Sequence, residues 1–178
     1  TISESSKKDI VEILKISPEK VRVVYLAPGQ EFKPQNEVAK DYVLTIGNPS
    51  NLRKNVANVV AACKKINVPL KIIDGTVTQD SLPKLYAQAK CFVYASSYEG
   101  FGIPILEAMA CGTPVICGTD SSMPEVGGSA ATYANVESID DLAEKIKGVK
   151  KTGLEITQAK KFSWEKTARE TVKIYDQL

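Results

Sequence analysis

With 178 residues, 43% of them hydrophobic, the chain has the size of one domain with a full core and no need of disulfides. Its 23 basic and 21 acidic residues leave a net charge of +2, which excludes a nucleic-acid coat or a polybasic membrane anchor. The lack of histidine removes Ser-His-Asp and Cys-His catalysis from this chain, and no run of about 20 apolar residues is present to span a bilayer.

In chain order, residues 1–15 read as an amphipathic helix capped by Ser3. Val21–Leu26 (VRVVYL) is strand-like, and residues 27–41 (APGQEFKPQNEVAKD) have the composition of a linker. Short β-rich runs then alternate with helical patterns. The strands are Tyr42–Gly47, Leu70–Asp74, Cys91–Ala95, Pro114–Cys117 and Ala131–Ala134. The helices are Asn55–Ile66, Ser81–Ala89, Ile103–Cys111 and Ser138–Val149. Val56, Val59, Val60 and Cys63 recur at helical spacing, and Ser138 is an N-cap followed three residues later by Asp141. Ser163–Leu178 reads as a terminal helix, with Trp164, Val172 and Tyr175 as its apolar anchors.

Strands and helices in this alternation predict parallel βαβ units with right-handed crossovers, hence an α/β fold with a doubly wound, Rossmann-like parallel sheet. The expected organisation is a helix, edge strand and linker over 1–41, a sheet core over 42–150 and C-terminal helices over 151–178. Ligands of such sheets bind beyond the carboxyl ends of the strands, which directs attention to the loops after Gly47, Asp74, Ala95 and Cys117.

The four cysteines, Cys63, Cys91, Cys111 and Cys117, sit in apolar runs with no C-x-x-C pair. They are expected to be buried, reduced and not metal-bound, as in a cytoplasmic protein. The chain opens without an initiator methionine, and we expect it to be part of a longer protein.

The segment Ser96–Thr113, SSYEGFGIPILEAMACGT, carries the most chemistry. Gly100-Phe101-Gly102 leads into a helix whose first turn holds Pro104. Free N–H groups and the positive helix end there suit a phosphate. Glu99 precedes the turn and Glu107 lies one turn inside the helix, where carboxylates can accept hydrogen bonds from sugar hydroxyls. Ile105 stands where a third glycine would complete Gly-x-Gly-x-x-Gly, so a tight βα turn alone, with Glu107 as a favourable first-turn acid, is the other reading of this loop. Arg53 and Lys54 open the helix after the first core strand, where a cation could neutralise a diphosphate; a solvated basic pair is the other reading of those two residues. Gly112-Thr113-Pro114 ends a helix and starts a strand. Trp164 reads as a packing anchor, Glu125 as a cap or brace of a loop without assigned role, and Lys145, Lys147, Lys150 and Lys151 as a solvated face.

Glu99 and Glu107 have the spacing of the E-x7-E motif, and the segment resembles that of retaining GT-B glycosyltransferases of family four ("group 1"). RKN at Arg53–Asn55, LPKLYAQA at Leu82–Ala89, MPEV at Met123–Val126 and the flank TISESSKKDI…VRVVYLAPG match the same pattern, in the same order over nearly the whole chain. The resemblance implies the C-terminal, donor-binding half of a GT-B architecture. It implies that Glu107 grips the ribose hydroxyls and that Glu99 faces the donor sugar. Backbone N–H groups of Gly100, Phe101, Gly102 and Ile103 would surround sugar and distal phosphate, Lys54 and Arg53 would neutralise the diphosphate, and Val77 would lie beside the base. Glu99 and Lys54 would be the catalytic pair.

The implied donor is a nucleotide-diphosphate sugar, GDP-mannose or a UDP-sugar, used without a metal or other cofactor. The implied acceptor is a glycan or lipid-linked sugar held by an absent N-terminal domain, which would also make any peripheral contact with a membrane. Some family members carry Arg after the glycine matching Gly47; here Asn48 stands in its place, so one cation fewer would grip the diphosphate. A nucleotide-binding regulatory module, a scaffold for protein contacts and a glycogen- or starch-synthase-type enzyme are the alternatives. The last group's signature motifs are not evident.

Overall fold

The computed structural model describes residues 1–177. Five strands form one all-parallel sheet: β1 (Val43–Ile46), β2 (Leu70–Ile73), β3 (Cys91–Tyr94), β4 (Val115–Cys117) and β5 (Ala131–Tyr133), in the order β2-β1-β3-β4-β5. Each lies within a predicted strand. Chain direction across the sheet reverses between β1 and β3, the topological switch point of this strand order.

Both faces of the sheet are covered, which explains why the strands are continuous apolar runs instead of alternating ones. Val43, Val93 and Ile116 pack with Val59 and Cys63 of α2 (Val56–Lys65) and with Leu142 and Ile146 of α6 (Ile139–Gly148). Leu44, Phe92, Tyr94 and Cys117 point the other way. They meet Tyr86 of α3 (Leu82–Gln88), Leu106 and Met109 of α4 (Ile103–Ala110) and Val126 of α5 (Met123–Gly127). All four cysteines are buried and free, and burial pushes the Cys91, Cys111 and Cys117 thiols up to about 12.

The caps read from sequence are present. Ser3 accepts from the Ser6 N–H at the start of α1 (Glu4–Leu14), and Ser138 accepts from Asp141 N–H at 3.2 Å. The Pro- and Gly-rich stretch 27–41 is held down: Ala27 and Phe32 are buried, and the Phe32 ring meets Tyr86 edge-on at 5.9 Å. The helix α7 (Leu154–Ala159) packs on α4 and adds Ala159 to the core.

Three expectations are corrected. Val21–Leu26 is extended but joins no sheet; its main-chain partner is the start of the chain, with Val24 N–H donating to Thr1 O at 2.9 Å. The sheet's outer strands are β2 and β5, and this segment lies instead beside α8 (Trp164–Tyr175), where Thr167 Oγ donates to Tyr25 O at 2.6 Å. Second, Trp164, Val172 and Tyr175 are not anchors: they are 46%, 56% and 69% exposed, because α8 rests on its other face. Leu178, the last residue of that predicted helix, lies outside the described residues. Third, Arg53 and Lys54 do not open α2. They form a 3-10 turn, Leu52–Lys54, closed by Asn55 at φ 47°, and α2 starts at Val56.

Candidate functional site

The turn after β1 and the loop after β3 flank the switch point and are stitched together. Ser97 N–H donates to Arg53 O at 2.9 Å, and Asn55 Nδ2 donates to Ala95 O at 3.0 Å. These main-chain anchors bring Lys54 and Glu99, 45 residues apart in sequence, into an ion pair of 2.6 Å.

Glu99 Oε1 is a point of convergence. It accepts from Lys54 Nζ at 2.6 Å, Ser96 Oγ at 2.6 Å and Arg53 Nη1 at 3.1 Å. Burial raises the Glu99 carboxyl pKa. The hydrogen bonds from Lys54 and Ser96 and the charges of Lys54 and Arg53 outweigh it and hold the carboxyl below the usual range. Glu99 is therefore an acceptor at neutral pH and not a proton donor. Lys54 also reaches Tyr94 Oη at 3.3 Å, and its ammonium lies 5.0 Å from the Tyr94 ring centre. An ammonium has three donors, so one remains for a ligand.

The backbone of the next three residues is arranged by serines. Ser122 Oγ lies 3.0 Å from Glu99 O and 2.7 Å from Phe101 O and shares its proton between them, while Ser6 Oγ donates to Gly100 O at 3.2 Å. In a trans peptide the N–H points opposite to the C=O. With three consecutive carbonyls turned toward serines, the N–H groups of Gly100, Phe101 and Gly102 are turned away from them. Among the described residues these three and the Ile103 N–H make no hydrogen bond. Gly102, at φ 100° and ψ 47°, is a left-handed N-cap without a side-chain oxygen, so the start of α4 is open to an anion.

Glu107 is reached from the other side. Tyr86 Oη donates to Glu107 Oε2 at 3.1 Å. Burial raises the Glu107 carboxyl pKa above its usual value, the Tyr86 bond opposing it. Edge-to-face and stacked contacts run from Tyr86 through Phe92 (5.2 Å) to Tyr94 (5.8 Å), so an aromatic row links the partner of Glu107 to that of Lys54. Val77 is half-buried after β2 against the same core cluster, beyond an Asp74–Thr76 turn closed at 3.1 Å.

The structure therefore brings Arg53 and Lys54 together on Glu99, the residue that leads into the 100–103 backbone, with Glu107 on the helix that follows. Sequence reasoning gave no role to Tyr86, Ser96, Ser122 and Ser6. Tyr86 lies in LPKLYAQA, Ser96 opens SSYEGFG, Ser6 lies in TISESSKKDI and Ser122 directly precedes MPEV, but none of these motifs says what the side chain touches.

Comparison with known proteins bears on the same region. The family described as "Glycosyl transferases group 1" matches residues 72–170, which include β3, α4 and both glutamates. The O-antigen chain mannosyltransferase B of Escherichia coli is 43% identical over 112 residues, 58% of this chain and 29% of that protein. Sucrose-phosphate synthase from Thermosynechococcus elongatus superposes with a TM-score of 0.85 at 18% identity, over 99% of this chain and 57% of that one. The C-terminal domain of a glycosyl transferase group 1 family protein from Francisella tularensis gives 0.57 at 19% identity, covering 75% of this chain and 92% of that domain. The chain thus spans about half or less of the longer proteins. At these identities the superpositions speak for the fold, that of the C-terminal half of GT-B glycosyltransferases. Together with the sequence match, they show that this chain belongs to the group 1 family of glycosyl transferases.

Proposed function

We propose that this chain binds a nucleotide-diphosphate sugar and forms the donor half of a retaining glycosyltransferase, whose acceptor is held by a further domain. The observation that carries the reading is the ion pair of Lys54 with Glu99, the residue that leads into four N–H groups without a partner among the described residues at the open start of α4, on the switch point of the sheet. A diphosphate placed there takes the third Lys54 donor and the N–H groups of Gly100, Phe101, Gly102 and Ile103. Arg53, with its half-exposed side chain, adds charge from the rim.

Glu107 then accepts from the ribose hydroxyls, and Val77 lies on the side of the base. Glu99 Oε2, which takes none of the three bonds to Oε1, accepts from a hydroxyl of the sugar. Departure of the nucleoside diphosphate is helped by Lys54 and the N–H groups, which supply the positive charge without a metal. The ionised Glu99 keeps Lys54 placed and does not act as an acid.

Because the relative from Escherichia coli is named a mannosyltransferase, GDP-mannose is the first donor to test and UDP-sugars are the second. Calorimetric titration of GDP, UDP and their nucleosides tests the site. Lys54→Ala is expected to weaken nucleoside diphosphate binding by about 1.5–3 kcal/mol, the scale of a charge-assisted hydrogen bond, and to leave nucleoside binding unchanged. An equal loss for both would place Lys54 in the fold and not in the site.

A further inference from the structure

The MPEV segment holds a carboxylate that the donor site does not use. Glu125, on α5, reaches across 121 residues of sequence to the start of α1. Its Oε2 accepts from Glu4 N–H at 3.0 Å and its Oε1 from Ser5 N–H at 3.2 Å. With Ser3 Oγ accepting from Ser6 N–H at 2.9 Å, the first three N–H groups of α1 are all satisfied, two of them by a charged group borne on another element. Tyr25 Oη makes a third bond to Glu125 Oε2 at 3.2 Å.

Both partners of Glu125 lead to the loop that follows Glu99. In α1, Ser6 follows directly on the two residues that Glu125 holds and donates to the Gly100 carbonyl at 3.2 Å. The packing there is close: a Cβ on Gly100 would lie 3.6 Å from Ile2 Cδ1 and 3.8 Å from Ser6 Oγ. One turn further along α1, Asp9 accepts from the Tyr98 hydroxyl. By the second route, the Tyr25 ring lies 5.9 Å from the Phe101 ring and 5.7 Å from that of Phe162. Two routes from one carboxylate thus end on adjacent residues, at the Gly100 carbonyl and the Phe101 side chain. These flank the Gly100–Phe101 peptide whose N–H has no partner among the described residues.

We propose that Glu125 is a positioning residue for the donor loop: by fixing the first turn of α1 it holds Ser6 against the Gly100 carbonyl, and so aims the Phe101 N–H at the donor's phosphate. Glu125 touches no donor atom itself. The proposal rests on the reading of this loop as a diphosphate site and adds what sets the loop's orientation. It also gives α1 a part in donor binding, although the family match begins only at residue 72. A peptide free to rotate would divide its time between orientations, and phosphate affinity would fall by the fraction of time lost. Base and ribose contacts, made elsewhere, would be spared.

The test is calorimetric titration of the 178-residue chain with GDP and UDP, and with guanosine and uridine, for the wild type, Glu125→Ala, Ser6→Ala and the double variant. We expect about three- to tenfold weaker diphosphate binding for Ser6→Ala, at least as much for Glu125→Ala, and nucleoside binding within about twofold of wild type. The double variant should bind no more weakly than Glu125→Ala alone, since Ser6 acts only while α1 is held. The Phe101 amide resonance should move in both single variants. Ser6→Ala leaves α1 capped by Ser3 and Glu125, so it decides the matter even if Glu125→Ala folds poorly. Unchanged diphosphate affinity in both single variants would overturn the proposal, and so would equal losses for diphosphate and nucleoside, the signature of a purely structural staple. A wild-type chain that binds the diphosphates no better than the nucleosides would instead overturn the donor-site reading, and the positioning role with it.

Discussion

Glu107 carries its charge where burial disfavours it. Its pKa in the folded chain lies above that of the unfolded chain, so protonation favours folding. The stability it contributes is full below the unfolded carboxylate range, near pH 4, and is lost as pH rises through the folded value. Glu107→Gln should therefore raise the melting temperature of the ligand-free chain at neutral pH, by a margin that shrinks toward pH 4, while weakening nucleoside diphosphate binding by about 1–3 kcal/mol. That affinity loss should fade for a 2′,3′-dideoxy nucleotide. Thermal melts across pH and titrations with both nucleotides check this, and a lower melting temperature at pH 7 would contradict it. Tyr86→Phe keeps the ring contacts with Phe32 and Phe92 but removes the donor to Glu107. We expect it to weaken ribonucleotide binding by about 0.5–1.5 kcal/mol and to leave dideoxynucleotide binding nearly unchanged, by the same titration. The two glutamates and Lys54 stood out in the sequence because they lie within short motifs, and Glu125 was readable as a cap or brace. Its partners on α1 and the Tyr86–Glu107 bond were not, because those approaches cross some 120 and 21 residues of chain that no local pattern encodes.

At the scale of elements, the end of β1 shows how strand and turn place a cation. Gly47 has φ 127°, which a side chain rarely adopts, and a Cβ there would lie 3.2 Å from Lys54 Cβ and Cγ. Gly47→Ala is expected to cost about 1–3 kcal/mol of stability and to weaken diphosphate binding by displacing the Lys54 stem. Gly153, at φ 82° with open space around it, is the control: Gly153→Ala should lose stability in chemical denaturation but keep its nucleotide affinity. The five sheet strands were readable because each is a short apolar run closed by Gly, Asp, Ala or a turn. Val21–Leu26 has the same composition but no strand beside it, and strand identity requires a lateral partner that composition cannot supply. The apolar residues of α8 followed helical spacing correctly, yet spacing does not say which face meets the rest of the chain. The exposure of Trp164 is the result.

For the whole molecule, the fold brings the proposed donor-binding groups to one edge of the sheet. Lys54, Glu99 and the 100–103 amides all come from connections at the carboxyl ends of β1 and β3, and Glu107 from the helix that follows. In the proposed function these groups hold and release a nucleoside diphosphate. Transfer also needs an acceptor hydroxyl brought within about 3–3.5 Å of the anomeric carbon, and that positioning supplies a large share of rate enhancement. The chain covers 29% of its Escherichia coli relative and 57% of the synthase it superposes on, so substantial parts of those proteins have no counterpart within it. We therefore expect the 178-residue chain to bind GDP or UDP in calorimetry and to transfer no sugar. Incubated with GDP-mannose or a UDP-sugar and a glycan acceptor, it should give no mass-shifted product, while joining it to an acceptor-binding domain should restore transfer. Product formation by the pure chain would mean that the acceptor site lies within these residues, and would remove the division of labour between two domains on which the proposed function depends.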